Sequence, residues 1–515
     1  MPQLLVGNAL KAAARKFSSK VAFVFKDQRI TYKDFEERVN RLANGFLAKG
    51  YKPGDHVAIL AYNCIEYYEI LFALAKAGMV AVPINFRLVG EEIVFIVNNS
   101  DAKLFVYEAS FHEVINGMRS KLEQISVESY IVFGGDGSPG DVRYEELLAA
   151  SSPADLDIQV DENTTWYIGY TSGTTGRPKG DMRSHRANVL LAANNFYGLS
   201  QETVTLLIMP ILHYNSITFG LINVYWGATT VIYPSGNFNG REILEIIEKE
   251  KVTFSSMVPT MYTIIFQIPD KDKFDTSSVK RLLTSSAPLM TKTKEDILAF
   301  FKGAELLEGY GATEIGSTTC LHPQDQYRKV RSCGQANPYC RIKVINAKGQ
   351  ECAPGEVGEL YAFTPGLFEG YYKDPEKTAH AFMGEYATVG DMAMVDEEGY
   401  YYIVDRKNDM IISGGENIYP TEIDNLLSKH PDIISAATIG IPDEKWGEAV
   451  KVVAVKKPGS TLTEAEVIAY CKQNLAGYKC PKSVEFWSEL PLNATGKIMK
   501  RLIRDKFWEG KDRAI

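Results

Sequence analysis

The chain has 515 residues, 45% of them apolar or aromatic and 23% charged, enough for a large folded core spread over several domain-sized units. Acidic residues outnumber basic ones by 64 to 56, and the net charge of −8 excludes a general nucleic-acid binder, which needs a basic stripe. Seven scattered cysteines, an odd count without a C-x-x-C pair, argue against a disulfide scaffold or a zinc site and for reduced thiols in the cytoplasm.

The N-terminal stretch to Phe17 is predicted to be an amphipathic helix. It lacks the uninterrupted apolar core of a signal peptide. Thr31 and Asp34 form the start of a capping box, and Phe35, Val39, Leu42, Ala43, Phe46 and Leu47 follow at helical spacing to Gly50. A strand is predicted over 56–61, a helix over 65–77, a strand over 79–83, a helix over 91–98 and a strand over 102–107. Helices alternating with short apolar strands indicate an α/β layered sheet with crossover connections. From Thr203 to Gly240 there is no Asp, Glu, Lys or Arg. Pro210, His213, Asn215, Gly220, Asn223 and Gly227 interrupt that run, so it reads as strand, buried helix and strand, not as a transmembrane segment. Further on come a helix over 241–250, a strand over 252–258 and a β-rich region with strands over 341–345 and 358–362. The polar break after the strand 400–405 marks a domain boundary near Asn408, with small-scale helix and strand alternation beyond it.

One stretch stands out. Tyr170 to Gly180, YTSGTTGRPKG, follows an apolar strand and precedes a helix start at Ser184. Strand, small-residue loop and helix make a phosphate cradle, with glycine backbone, hydroxyl donors and the Lys179 charge. The glycine-to-lysine spacing is not that of a Walker A loop.

TSGTTGRPKG also resembles the signature of the adenylate-forming enzymes: acyl-CoA synthetases, luciferases and peptide-synthetase adenylation domains. Other stretches match that family in the same order. They are Met209-Pro-Ile-Leu-His213, SSAPL at 285–289, EGYGATE at 308–314, GELYAFTPGLFEGYY at 358–372, TVGD at 388–391, DRKNDMIISGGENIYPTEI at 405–423 and LPLNATGKIMKR at 490–501. The resemblance implies an AMP-forming acyl-CoA ligase that turns a carboxylic acid and ATP into an acyl-adenylate, then passes the acyl group to coenzyme A. It implies a large N-terminal domain, residues 1–407, of layered α/β sheets with a β-rich subdomain, and a small mobile α+β C-terminal domain, residues 408–515, hinged at Asn408.

Site residues follow from the matched motifs. Thr171, Ser172, Gly173, Thr174, Thr175, Gly176 and Lys179 would hold the phosphates. Ser286, Ala287, Pro288, Tyr310 and Gly311 would surround adenine, with Tyr310 as a stacking face. Thr313 would donate to the α-phosphate, and Glu314 would offer hard oxygens to Mg²⁺. Asp391 and Arg406 would bind the ribose, since a carboxylate accepts both hydroxyls of a diol. Lys497 would be the catalytic lysine, offsetting charge on the pentavalent phosphorus. His213 would stand beside the bound carboxylate and gate the acyl pocket, lined also by Tyr214, Asn215, Gly309, Gly311, Ile315 and Gly316. Gly414, Gly415 and Glu416, with Tyr478 and Lys479, would line the coenzyme A path. ATP, Mg²⁺ and coenzyme A are the implied co-substrates, with no prosthetic group. A homodimer is compatible with the family.

The chain departs from the family pattern at several points. Ser285 and Ser286 stand where glycines are common, Asp181 where an apolar residue is usual, and Cys480 where Arg is common, leaving Lys479 and Lys482 to meet coenzyme A phosphates. An acid at Asp181 that pointed inward would oppose phosphate. The acid itself is left open as fatty, alicyclic or aromatic. Two further readings stay open: an adenylation enzyme that loads a separate carrier protein, and a nucleotide-binding sensor without catalysis. A luciferase-type oxidation is a fourth possibility that the motifs leave standing.

Overall fold

The computed structural model describes residues 3–171, 178–236, 238–413, 416–493 and 497–509. Two large sheets form the body. One has nine strands and runs, through the pairings of Thr205 with Phe254, Leu282 with Leu306, Tyr310 with Thr319 and Thr319 with Ala336, from the chain's first hairpin to the strand Gln335–Ala336. The other has eight strands and includes His56–Leu60, Val80–Pro83, Ala102–Glu108 and Thr165–Thr171. Most neighbours within each sheet run parallel, as crossover connections through helices require. Helices Val6–Lys16, Ile65–Ala77 and Tyr214–Trp226 pack in the shared core between the sheets, where Tyr68, Leu71, Ile217 and Leu221 are buried with Val57, Leu207 and Leu283. That position explains the charge-free run: the helix Tyr214–Trp226 is covered on nearly every side.

A six-stranded sheet built from residues 341–406 carries Asp391 and Arg406 at paired positions. A five-stranded sheet built from residues 411–486 has its own core around Ile411, Ile423, Val452 and Cys471. The mixed α/β class with a large N-terminal body and a smaller C-terminal unit is as expected. Among the described residues, no helix is long and apolar enough to cross a membrane, and all seven cysteines are free thiols.

One local expectation is corrected. The phosphate stretch does not pass from a strand through a loop straight into a helix. Lys179–Ser184 is a second strand, paired antiparallel with Thr165–Thr171, so Thr171 and Lys179 stand at the ends of two paired strands. The helix begins only at His185, capped by the Ser184 hydroxyl, which accepts from the Ala187 N–H at 3.2 Å. Any field from that helix end therefore acts six residues away from Lys179.

Candidate active site

The site lies at the carboxyl ends of the parallel strands of the nine-stranded sheet, where loops can project ligand-binding groups. Of the phosphate stretch, Thr171 and Lys179 face each other across the paired strands. Ser172, Gly173, Thr174, Thr175 and Gly176 lie outside the described residues. The Lys179 ammonium sits 4.9 Å from the centre of the Tyr371 ring. The Tyr371 hydroxyl donates to Glu314 Oε1 at 2.9 Å, and the Glu314 carbonyl accepts from the Phe368 N–H at 2.9 Å. Lysine, aromatic ring and carboxylate thus form one connected group. Glu314 presents a hard, oriented carboxylate that fits a Mg²⁺ ion shared with phosphates.

Tyr310 and Gly311 lie on the strand Glu305–Ala312, and Thr313 directly follows it. Gly311 is required there, because a Cβ would come within 2.1 Å of the Gly316 carbonyl oxygen across the hairpin. Gly309 is also tight, 3.2 Å from Leu283 Cδ1 at the Cβ position. The Tyr310 hydroxyl donates to Asp391 Oδ2 at 2.7 Å, and Arg406 Nε lies 3.3 Å from Asp391 Oδ1. Burial, and then the Asp391 carboxylate, push the Tyr310 hydroxyl well above its ordinary pKa, so it remains a donor. Tyr310, Asp391 and Arg406, the residues expected to meet adenine and ribose, thus form one connected unit.

Ser286, Ala287 and Pro288 follow the strand Arg281–Thr284. Ser286 has φ +68°, the left-handed region in which a glycine costs nothing and an L-residue costs about 1–2 kcal/mol. Ser286→Gly should therefore stabilise the fold by about 0.5–1 kcal/mol, after the extra flexibility of the unfolded chain is counted, and so raise the unfolding midpoint. A lower midpoint in thermal or urea unfolding would show that the serine stabilises this turn.

His213 precedes the helix Tyr214–Trp226 as its N-cap, without a side-chain cap bond. Its Nε2 is buried without a hydrogen-bond partner. Burial, and next Arg87, hold its pKa down at about 4, so the ring is neutral at pH 7. A neutral ring is compatible with the expected place of His213 beside a carboxylate. Asn63 holds this loop in place and carries no motif signal. Its side chain accepts from the Ile211 N–H at 2.8 Å and donates to the Met209 and Tyr233 carbonyls at 3.1 and 3.0 Å. Ile315 and Gly316 are tied to the opposite wall, where the Thr364 hydroxyl donates to the Ile315 carbonyl at 2.7 Å.

Asp181 does point inward and is fully buried, but it pairs with the equally buried Arg183, at 3.2 Å. Burial first, and Glu314 and Glu369 after the opposing effect of Arg183, push its carboxyl well above the usual range. Cys480 is buried in the C-terminal core, so it replaces nothing on the surface. Lys479 does not stand free, since its ammonium is 2.7 Å from Glu422. Tyr478 is exposed. Glu416 opens a short strand, and Gly414 and Gly415 lie outside the described residues. Among the described residues, no hydrogen bond or ion pair joins Glu416, Tyr478 or Lys479 to the nucleotide group.

Lys497, by contrast, is within electrostatic reach of Arg406, Asp391 and Asp409. Its N–H donates to Asn493 Oδ1 at 2.9 Å, and Leu492 bridges to Ile498 beside it. Desolvation, and next the Arg406 charge, lower its pKa to about 8. The ammonium is present below that pH and is lost above it. Adenylation kcat/KM should then fall about tenfold per pH unit above roughly pH 8. Lys497→Arg should move that limb beyond the measurable range, since a guanidinium stays charged. A wild-type profile flat to pH 9.5 would show that the amine is not needed as a cation.

Residues 10–372 match the family model of the AMP-binding enzymes, and residues 422–497 match that of the AMP-binding enzyme C-terminal domain. The chain belongs to the AMP-binding enzyme family. It is 36% identical over 486 residues to a feruloyl-CoA synthase of Amycolatopsis, covering 93% of this chain and 94% of that one. It is 34% identical over 488 residues to the long-chain fatty-acid–CoA ligase FadD13 of Mycobacterium tuberculosis, again covering 93% and 94%. The fold superposes on the anthranilate CoA ligase AuaEII in complex with anthranoyl-AMP with a TM-score of 0.92, at 26% identity and 98% coverage of both chains. The chain is accordingly an AMP-forming acid–thiol ligase, an acyl-CoA synthetase.

Proposed function

We propose that this ligase activates a carboxylic acid with a compact apolar body, drawn from the fatty, alicyclic or aromatic acids, at a site built from the residues named above. The observation that carries the assignment of roles is that Lys497 lies within electrostatic reach of Asp391 and Arg406, which pair with each other at 3.3 Å and come from a distant part of the chain. In the first step a carboxylate oxygen of the acid bonds to the α-phosphorus of ATP, and the bond to pyrophosphate breaks. Thr313 and Lys497 would meet the negative charge developing on that phosphate. Glu314 would hold Mg²⁺, which when bound supplies positive charge to the phosphates. In the second step the coenzyme A sulfur bonds to the acyl carbon, and AMP leaves with its electron pair.

The second step needs Lys497 gone and a thiol path opened. We place the pivot at Asn408, between the domains 1–407 and 408–515. The Lys407 N–H donates to the Gly390 carbonyl of the six-stranded sheet, whereas the Asn408 carbonyl accepts from Arg504 of the C-terminal unit. Adjacent residues are thus bonded to different units. The compact acid is supported by the aromatic packing behind Asn215, where Phe219 lies 5.1 Å from the Tyr197 ring centre and 5.4 Å from that of Phe254. The free cysteines and the composition fit a cytoplasmic enzyme.

The test is pyrophosphate release with MgATP and a pooled acid panel, with and without coenzyme A, followed by mass spectrometry. Release with a CoA thioester identifies the acid. Release that stops at acyl-AMP would move the acceptor to a carrier protein. No release with any acid would overturn the proposal.

A further inference from the structure

The strand Tyr401–Arg406 belongs to the six-stranded sheet of the large unit, where Asp405 pairs with Met392. The Asp405 carboxylate reaches past the pivot. Its Oδ2 accepts from the Thr421 N–H at 2.9 Å and from the Thr421 hydroxyl at 3.1 Å, while its Oδ1 accepts from the Arg406 N–H at 2.8 Å. Thr421 is the second residue of the helix Pro420–Leu427, which lies beyond Asn408. That helix lacks a cap of its own. Tyr419, at the N-cap, makes no side-chain cap bond, and Pro420 has no N–H to offer. The first N–H at this helix end is therefore met by an acid from the other unit, and the anion also suits the positive end of the helix. Asp405 is only 7% exposed, so the contact is sheltered from water. Arg331, also of the large unit, lies within electrostatic reach of both Asp405 and Glu422.

The helix leads from this contact toward Lys497. Ile423 and Leu427 are buried in the C-terminal core with Val452, so the helix moves with its own unit. Asp424, one turn after Thr421, accepts from the Thr438 N–H at 2.7 Å and pairs with Lys500 at 2.8 Å. Lys500 stands three residues after Lys497. The Asn493 N–H donates to the Lys497 carbonyl and the Met499 N–H to the Pro491 carbonyl, each at 2.8 Å, which joins Lys497 to the same rigid piece. A line of polar contacts and short backbone thus runs from the large sheet through Asp405, Thr421, Asp424 and Lys500 to Lys497.

We infer that Asp405 is a positioning residue for adenylation: its bond to Thr421 holds the C-terminal unit in the arrangement that brings Lys497 to Asp391 and Arg406, and the bond opens when the unit turns for thioester formation. The inference rests on the ligase reading and on the pivot at Asn408, and it assigns one specific contact to the switch. Asp405 touches neither nucleotide nor acid in this reading and acts only through the helix and Lys497. A rotation about Asn408 would carry Thr421 away from a strand that stays paired with Met392. The cap therefore favours one arrangement over the other, which is what shifts a two-state balance.

The experiment measures the half-reactions separately: pre-steady-state pyrophosphate release with the acid identified by the panel and MgATP varied, and thioester formation from the preformed acyl-adenylate of that acid. Asp405→Ala should slow the first about 3- to 30-fold, the range of a lost helix cap, and leave the second within about twofold. Thr421→Val removes the hydroxyl and keeps the N–H. It should give a smaller loss of the same kind, which secures a result if Asp405→Ala does not fold. Asp405→Asn retains an acceptor for the N–H and should recover part of the rate. Asp405→Ala/Thr421→Val should be no slower than Asp405→Ala, because the hydroxyl has already lost its partner. Equal losses in the two half-reactions would overturn the inference, since a cap that only stabilises the helix serves both steps. So would a raised KM for ATP with kcat unchanged, which would make Asp405 a support of Arg406, and so would adenylation at the wild-type rate in Asp405→Ala. Release by the wild-type enzyme with no acid at all would instead sink the ligase reading beneath it.

Discussion

Lys497→Ala should lower the rate of adenylation by about 10²–10³-fold, while thioester formation from preformed acyl-adenylate changes little. The first half follows from the neighbourhood of Lys497. It is the cation that approaches the Asp391 and Arg406 pair from the C-terminal unit, and a positive charge held at a developing phosphorane has its largest effect in the transition state. The second half follows from how Lys497 is mounted. The helix Lys500–Asp505 that succeeds it is fixed to its own unit, with Lys500 2.8 Å from Asp424 and Arg504 2.8 Å from Asp409. In the proposed rotation about Asn408, lysine and helix would move as one body. The ammonium would then leave with it and take no part in the attack on the acyl carbon. Stopped-flow measurement of pyrophosphate release and of thioester formation, made separately, checks both halves. Equal losses in the two steps would contradict a lysine that serves only the first.

The elements that carry these groups were largely readable from residue patterns. The helices Ile65–Ala77 and Tyr214–Trp226 and the strands between them are long, strongly apolar segments bounded by glycine or proline, for which local preference and burial agree. The order of the motifs placed Tyr310, Asp391, Arg406 and Lys497 in one set, and the geometry brings those four together. What escaped the sequence is tertiary. Asp181 stands out in the sequence only as a departure and Arg183 not at all, and their burial as a pair shows only once Lys179–Ser184 is known to pair with Thr165–Thr171. Asn63 has no neighbours of note in the chain, yet it holds the loop before His213 from nearly 150 residues away. Tyr371 sat inside a recognised motif, but its hydroxyl gains meaning only from Glu314, 57 residues earlier. Lys479 reads as available to coenzyme A phosphates because its partner Glu422 is equally remote. Polar contacts made between distant segments leave no periodic trace, whereas apolar burial does.

Asp391→Ala should reduce kcat/KM for ATP by about 10²–10³-fold, with most of the loss in KM. The carboxylate is proposed to accept both ribose hydroxyls, and hydrogen bonds to a charged group contribute about 1.5–3 kcal/mol each. Its removal has a second consequence inside the protein. The Tyr310 hydroxyl, which donates to Asp391 at 2.7 Å, loses its acceptor, and the Arg406 guanidinium loses the anion 3.3 Å away. The adenine platform and the ribose clamp then loosen together. Tyr310→Phe offers the comparison, because it keeps the ring face and leaves the carboxylate free to bind ribose. It should cost far less, on the order of tenfold. Because the two residues share one hydrogen bond, the losses in Asp391→Ala/Tyr310→Phe should fall short of additive, since the hydroxyl orphaned by the first change is deleted by the second. Pyrophosphate-exchange kinetics with ATP varied at a saturating acid resolve KM from kcat for all three variants. A KM for ATP within twofold of wild type in Asp391→Ala would remove the ribose from this site, and strict additivity would separate the platform from the clamp.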